Sequence, residues 1–289
     1  MKEDIKSFLD YLAKEKRYSP NTLAAYNNDL SQLAAYAESQ ITNSGLDYNK
    51  VTLDANLLSG YMRSLKERKY TPSTVARKVA AAKSFLKFMV ETGKLRSDLA
   101  PNLASPQISK PLPKPLSVSE VRRLLAEPAK LSTIEAKRDR AMLELLYATG
   151  LRASELMALN VGDIELKSGS VCSRGRNSRE RVLPLDQHIA RLVGDYIDSA
   201  RPDLLNKEEE VALFLNRRGE RLTRQGFWQI VQGYADRVGL DTKVTPRSLR
   251  HSFAIHKLKG GADLQSVQEL LGHAHISTTR AYKQIETHP

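Results

Sequence analysis

Several features that define common protein classes are missing from this chain. A single cysteine, Cys172, excludes an internal disulfide and a zinc site built on several cysteines. The six histidines show no HExxH or comparable ligand spacing, so the sequence predicts no metal centre and no cofactor. No apolar run approaches the roughly 18 residues that a membrane span needs. The N-terminus also lacks an apolar signal segment, and we expect a cytoplasmic protein that does not contact a membrane.

Basic residues, by contrast, are in excess. A length of 289 residues favours two domains, because it exceeds what one compact core usually serves. The net charge is +12; residues 1–110 hold 17 Lys/Arg against 11 Asp/Glu, and the remainder hold 28 against 22. An excess spread over both parts favours two basic surfaces facing one polyanion, and nucleic acid is the predicted partner.

The N-terminal part predicts amphipathic helices with well-defined starts. Apolar residues from Ile5 to Leu12 follow helical spacing, and "RYSPNTLAAY" places Ser19 as N-cap before Pro20. At residue 69 the sequence nearly repeats this start as "KYTPSTVARK", followed by an apolar stripe from Val75 to Met89. The two starts are either simply well-capped helices or phosphate-binding helix N-termini, and both interpretations can hold together.

Five of the twelve prolines fall in "PNLASPQISKPLPKP", which predicts a semi-extended linker over residues 101–115. It would separate an N-terminal helical domain, residues 1–100, from a second domain, residues 116–289. In the second domain we expect helices from "SVSEVRRLL" and from "KRDRAMLELLYATG", the latter ended by Gly150. A strand, a polar turn and a strand around Val182–Leu185 follow, and helical patterns then resume from Ile189, Arg224 and Leu249. The sequence thus predicts a mostly α domain with a small sheet.

Three separated stretches carry side chains suited to phosphate chemistry: Arg152 and Glu155 in "GLRASELMALNVGDI"; Arg247, Arg250, His251 and His273 in "TPRSLRHSFAIHKLKGGADLQSVQELLGH"; and Tyr282 in "HISTTRAY". Taken singly, each has an ordinary interpretation. Arginines at helix starts are usually solvated, histidines between apolar helices usually belong to the core, and a terminal tyrosine usually packs.

Together these stretches resemble the tyrosine recombinase (phage integrase) family, and most closely its Xer-type members. The ordered matches run from "SPNTLAAY" through "ATGLRASELMALNVGDI", "RERVLPL" and "LRHSFAIHKL" to "LQSVQELLGHAHISTTRAY", over nearly the whole chain. The resemblance implies a mainly α protein, with an N-terminal helical SAM-like core-binding domain and a mostly α catalytic domain with a small β-sheet. It further implies that the two domains close as a C-shaped clamp on double-stranded DNA.

The resemblance also implies a role for each matched residue. Arg152 and Arg250 hold the non-bridging oxygens of the scissile phosphate, and His273 adds a hydrogen bond to it. Tyr282 attacks in line, which gives a 3′-phosphotyrosine and a free 5′-hydroxyl. The bond energy stays in the covalent intermediate, so neither metal nor ATP is required.

Two positions depart from the family pattern. The β-turn of the family normally reads Gly-Lys-Gly, and its lysine protonates the leaving oxygen; aligned back from "RERVLPL", Arg176 takes that place. Arg247 stands where the family usually has the histidine of His-x-x-Arg. Arginine binds phosphate in both places, but its pKa above about 12 makes it a poorer proton donor. Lys167, in the preceding strand, is an alternative donor in the wrong register.

Three functions are therefore compared. The first is a site-specific DNA recombinase that acts as a homo- or hetero-tetramer on a specific recombination site, through a Holliday junction. The second is a catalytically weak or inactive DNA-binding paralogue at recombination sites, favoured by Arg176 and Arg247. The third is a type IB topoisomerase-like nicking and closing activity, which the Xer-like N-terminal domain and the small size oppose. Only "KQIETHP" follows Tyr282, so we expect a monomer off DNA and a truncated C-terminus.

Overall fold

The computed structural model describes residues 1–44, 53–107, 115–175, 180–240 and 243–286. The chain divides into two compact units, residues 1–110 and residues 111–289. Each unit has its own apolar core. The predicted domain boundaries, at residues 100 and 116, remain a prediction.

The described part of the first unit contains four helices: α1 (Lys2–Lys14), α2 (Pro20–Ser44), α3 (Ala55–Glu67) and α4 (Pro72–Glu91). The predicted stripes form the core of this unit, since Ile5 and Leu12 of α1 and Val75 and Met89 of α4 are all buried. Phe8 is also buried, and its ring centroid lies 5.6 Å from that of Phe85 in α4. Helical periodicity in the sequence thus located α1 and α4 correctly.

The two repeated helix starts have the same local structure. The backbone N–H of Thr22 donates to the Ser19 hydroxyl at the start of α2, and Thr71 accepts in the same way at the start of α4. Two residues before each N-cap, Arg17 and Lys69 both adopt φ of 52°. This left-handed conformation is uncommon for residues other than glycine, and here it turns the chain from one helix into the next.

At the start of the predicted linker the chain is folded and not extended. Ala100–Asn102 forms a 3-10 turn, and Leu103 directly after it is buried in the core of the first unit. Pro101 is compatible with the turn, because the first turn of a helix does not use the backbone N–H that proline lacks. The rest of the linker largely falls on residues 108–114, outside the described residues.

The second unit contains the remaining elements: α5 (Val118–Ala126), α6 (Ile134–Thr149), α7 (Ala153–Ala158), β1 (Ile164–Glu165), β2 (Ser170–Arg174), β3 (Glu180–Pro184), α8 (Gln187–Asp195), α9 (Arg201–Leu204), α10 (Arg224–Arg237), α11 (Pro246–Lys259), α12 (Leu264–Leu271) and α13 (Ile276–Glu286). Further 3-10 turns span Glu127–Lys130 and Val161–Asp163, and a π-helical turn spans Tyr196–Ala200. The three strands form one antiparallel sheet in the order β1-β2-β3. The prediction of a mainly α chain with a small sheet is confirmed.

Gly150 fixes the path of the chain from α6 into α7. It ends α6 with φ of 62°, as predicted, and a Cβ added there would lie 2.4 Å from the Phe253 ring of α11. Only glycine fits both the conformation and the close approach. The junction between α6 and α7 therefore lies directly against α11.

None of the helices in the described ranges is long and apolar enough to cross a membrane.

Candidate active site

Arg152 is the N-cap residue of α7, two residues after Gly150. Its backbone N–H donates to Glu155 Oε2 at 2.8 Å, and its Nη1 donates to Glu155 Oε1 at 2.7 Å. Its Nη2 donates to the Gly272 carbonyl at 3.1 Å. The side chain is still 37% exposed, so the guanidinium is held from one side and open to a ligand on the other.

Arg250 lies on α11 and is buried. One end of its guanidinium donates to the Gly150 carbonyl and the other to the Leu271 carbonyl, both at 2.6 Å. Burial, followed by the charge of Arg152, lowers the pKa of Arg250 to about 10, which leaves it charged at neutral pH. Two cationic forks are thus fixed side by side before any anion arrives.

His273 follows the left-handed Gly272 that ends α12. Its Nε2 lies 3.1 Å from Arg250 Nη2, and its Nδ1 lies 2.9 Å from Thr279 Oγ1 on α13. Burial and then the charge of Arg250 lower the pKa of His273 to about 4, so the ring is neutral at pH 7. Because arginine can only donate, Nε2 accepts, and Nδ1 carries the proton that Thr279 receives.

Tyr282, on α13, is 4% exposed. Its ring stacks near that of His273, with the centroids 6.2 Å apart, and lies 5.2 Å from the ring of His251. Burial raises the pKa of the Tyr282 phenol, while the charges of Arg250, Arg247 and Arg152 oppose this increase. The phenol is therefore protonated at neutral pH and lies among cations that favour its ionised form.

Arg247 also lies on α11, one turn before His251. Its Nε donates to His251 Nε2 at 2.9 Å. Burial, then the charges of Arg247 and Arg250, lower the pKa of His251 to about 4. The imidazole is neutral and serves as an acceptor that orients Arg247.

One cavity of about 520 Å³ collects the predicted residues Arg152, Arg247, Arg250, His273 and Tyr282. His251, Ala153, Pro246, Thr278 and Ala281 complete its lining. The sixth predicted residue, Arg176, lies outside the described residues and stays a prediction. Within the described ranges, no group of three or more His, Cys, Asp or Glu side chains is placed to hold a metal ion.

Glu155 and Arg181 are parts of this site to which the sequence analysis gave no role. Burial alone would raise the pKa of Glu155, but hydrogen bonds from Arg181 and from the Arg152 backbone outweigh it and lower the pKa to about 2. Glu155 is therefore a buried anion among arginines. The sequence does contain a pattern that points to Glu155. It lies three residues after the arginine at a helix start, and that spacing is typical of a carboxylate that caps a helix.

The two neutral histidines predict a loss of stability in weak acid. In the unfolded chain, the His251 and His273 side chains bind protons near pH 6.5. In the folded state, they resist protonation until about pH 4. Stability is thus full above pH 6.5 and falls as the pH decreases from 6.5 towards 4. For the buried His251 we expect a loss of about 2 kcal/mol between pH 7 and pH 5. His273 should contribute less, because its side chain is partly exposed.

Urea unfolding at pH 7 and at pH 5 measures this loss. Glu155 does not interfere, because a carboxylate with a lowered pKa loses its contribution only as the pH falls below about 4.5. His251→Gln should lose about 2 kcal/mol less between the two pH values than the parent protein. His275→Gln, at an exposed position, is the matched control and should behave like the parent. Equal losses in His251→Gln and the parent would contradict the assignment.

Family models and known proteins match this chain over most of its length. The model described as "Phage integrase family" matches residues 114–288, and that described as "Phage integrase, N-terminal SAM-like domain" matches residues 5–93. The chain is 45% identical over 287 residues to "Tyrosine recombinase XerC" of Roseiflexus sp. (strain RS-1), with 99% of this chain and 90% of that protein covered. It is 40% identical over 286 residues to "Tyrosine recombinase XerD" of Listeria innocua, with 99% and 95% covered.

Solved structures show the same fold at lower identity. XerH recombinase in a pre-cleavage complex with its difH substrate matches with a TM-score of 0.73 at 21% identity, over 97% of this chain and 92% of that one. A lambda integrase (75-356) dimer bound to a core site matches with a TM-score of 0.72 at 16% identity, over 98% and 94%. At these identities the likeness concerns the fold alone.

Proposed function

Because the chain belongs to the phage integrase family of tyrosine recombinases, we propose that the protein cuts and rejoins DNA at one specific recombination site. The residues that line this cavity would carry out the reaction. The observation that carries the proposal is the meeting of Tyr282 with three arginines in one cavity. An ordinary packing tyrosine does not require guanidinium groups that hydrogen bonds hold in place around it. A phosphodiester supplies the negative charge that this arrangement lacks.

The proposed reaction is an in-line displacement at phosphorus. The Tyr282 oxygen loses its proton and forms a bond to phosphorus while the bond to the 5′-oxygen breaks. The 5′-oxygen takes up one proton, which gives a 3′-phosphotyrosine and a free 5′-hydroxyl. Charge that develops on the non-bridging oxygens is stabilised by the forks of Arg152 and Arg250, which are held in place before the reaction. Attack by a 5′-hydroxyl of the partner duplex reverses the step. One phosphoester bond replaces another, so the cycle needs no ATP, and the arginines take the charge-stabilising role that a metal ion has in other phosphoryl transfers.

His273 must change partner for its proposed role. Its Nε2 accepts from Arg250 here, and a ring with its proton on Nδ1 cannot donate from Nε2 to a phosphate. An incoming phosphate adds negative charge, which favours a second proton on the imidazole and competes for Arg250. We propose that DNA binding breaks the contact between Arg250 and His273 and allows both to donate to the phosphate.

We propose double-stranded DNA as the partner of both units, since each part of the sequence carries an excess of basic residues. A solved relative, at 14% identity, is a lambda integrase tetramer bound to a Holliday junction. We propose the same stoichiometry here, with four recombinase subunits on two duplexes. We further propose that this tetramer is a homo- or hetero-tetramer, that the protein is a monomer off DNA, and that it acts in the cytoplasm.

Trapping of the covalent intermediate tests the proposal. Genomic fragments that the protein protects from nuclease digestion identify its site. A duplex of that sequence, nicked beside the scissile phosphate, loses the short 5′-hydroxyl fragment after cleavage and cannot be resealed. We expect a protein–DNA adduct that survives denaturation and disappears on proteolysis. A protein that protects the site without forming an adduct would instead be the DNA-binding paralogue, and supercoil relaxation without recombinant product would indicate the topoisomerase-like activity.

Arg176→Lys should speed cleavage if residue 176 protonates the leaving oxygen. A lysine with a pKa near 10 gives up a proton more readily than an arginine. A tenfold increase would correspond to about 1.4 kcal/mol of barrier. Single-turnover cleavage of the nicked duplex measures the rate. A second duplex with sulfur at the 5′-bridging position provides the control, because its leaving group needs no proton and the two proteins should then cleave at equal rates.

An arginine at position 176 that only contacts DNA would give a different pattern. The lysine variant would then cleave no faster than the parent, and the sulfur substrate would leave the ratio of the two rates unchanged.

A further inference from the structure

Arg181, on β3, is bound on three sides by the site although it is not among the described residues that line the cavity. Its Nη1 and Nη2 donate to the two carboxylate oxygens of Glu155, at 3.1 and 2.8 Å. Its Nε donates to the Leu270 carbonyl of α12 at 3.2 Å. The side chain is only 15% exposed. Because all three of its donor nitrogens are engaged, Arg181 fixes the positions of the groups that it contacts.

The carbonyls at the end of α12 show what Arg181 shares with the phosphate-binding residues. The last carbonyls of a helix lack intrahelical partners and form the negative end of its dipole. Three consecutive carbonyls are each bound by a different arginine: Leu270 by Arg181, Leu271 by Arg250 and Gly272 by Arg152. His273 is the next residue, so the three arginines fix the turn that places it.

Glu155 is the second acceptor that the three arginines share. Arg152 and Arg181 bind it at 2.7 and 2.8 Å, and Arg250 Nη1 lies 3.7 Å from its Oε2. A carboxylate accepts a limited number of hydrogen bonds, and Arg181 occupies both of its oxygens. Without Arg181, Glu155 would attract Arg152 and Arg250 more strongly, and these two arginines are the ones proposed to hold the phosphate.

We propose that Arg181 is a positioning residue for cleavage, which keeps Glu155 from withdrawing Arg152 and Arg250 from the scissile phosphate. The inference rests on the proposed function of the cavity. Arg181 also joins β3 to the turn before His273. Gly272 permits this contact, because a Cβ added there would lie 2.7 Å from Arg181 Nη1.

The test compares a charged scissile phosphate with an uncharged one. Single-turnover cleavage by Arg181→Met is measured on a nicked duplex with a normal phosphodiester, and on one with a methylphosphonate at the same position. On the phosphodiester we expect a loss of about 10- to 100-fold, the size usual when an outer partner of a functional group is removed. On the methylphosphonate the variant should approach the parent rate, because that substrate lacks the charge that the arginines stabilise.

Arg201→Met is the matched control. Arg201 is also a partly buried arginine of the second unit that binds backbone carbonyls, those of Ala212 and Glu210, and it is not among the residues that line the cavity. It should lower the melting temperature without changing the ratio of the two cleavage rates. If Arg181→Met unfolds, Arg181→Lys replaces it, since lysine keeps the charge but cannot bind both Glu155 oxygens and Leu270 together.

Each remaining outcome has a single interpretation. Equal losses on both substrates would make Arg181 a stabilising residue only and overturn the inference, as would parent-like cleavage by a folded Arg181 variant. A parent protein that cleaves neither substrate would refute the proposed function of the cavity instead.

Discussion

Replacing Tyr282 with phenylalanine should abolish the covalent adduct and leave DNA affinity unchanged. Only the oxygen that attacks phosphorus is lost, and the ring keeps its packing beside His251 and His273. Loss of a nucleophile removes a reaction step entirely, so we expect cleavage to fall by at least about 10⁴-fold. A denaturing gel with labelled nicked duplex measures adduct formation, and a native gel shift measures binding.

Tyr147→Phe is the matched control for this experiment. The Tyr147 hydroxyl bonds His256 Nδ1 at 2.7 Å, and its ring packs against the same apolar cluster that contains Tyr282. Loss of that hydroxyl should leave adduct formation intact. If Tyr282→Phe still formed adducts, another residue would be the nucleophile and the proposed mechanism would be wrong.

Arg250→Lys should reduce cleavage by about 10²- to 10³-fold, the usual effect of removing one donor that stabilises transition-state charge. The guanidinium of Arg250 spans the Gly150 and Leu271 carbonyls and still reaches His273. A lysine ammonium has three donors but lacks the planar fork with which the guanidinium reaches both carbonyls at once. We also expect a loss of about 1–3 kcal/mol of stability, because a buried acceptor is left unpaired.

The design of this experiment separates the two effects. Arg201→Lys makes the same exchange at an arginine that binds backbone carbonyls away from the cavity. It should lose stability and keep its cleavage rate under conditions where both variants are fully folded. A folded Arg250→Lys protein that cleaves as fast as the parent would show that cleavage does not depend on the guanidinium fork of Arg250.

The sequence predicted the parts of the site that are encoded locally. Arg152 lies two residues after Gly150, which the sequence marks as a left-handed helix end, and His273 and Tyr282 lie nine residues apart in one short stretch. The resemblance to a family then predicted that the three separated stretches form one site. No local sequence pattern relates these stretches to one another. The catalytic roles assigned to these residues stay predictions, although the structure brings five of the six together in one cavity.

The support around those residues could not be predicted in the same way. Arg181 contacts residues that are 26 and 89 positions away, and its acceptor in α12 is a backbone carbonyl. Every residue has such a carbonyl, so no sequence pattern marks the ones that matter. The 3-10 turn at Ala100–Asn102 was not predicted for a different reason. Proline excludes a helix interior, but it is favoured in a first turn.

The left-handed residues Arg17 and Lys69 have a consequence for how the first unit is adapted. Glycine would adopt φ of 52° without a steric penalty, whereas a residue with a Cβ costs about 1 kcal/mol there. Both turns nevertheless hold an exposed, long-chain cation two residues before a helix N-terminus, where an anion is favoured. At two equivalent turns, the first unit is therefore less stable than it would be with glycine, and each turn carries a positive charge that glycine would lack. The lower resistance to unfolding accompanies a stronger attraction for a polyanion.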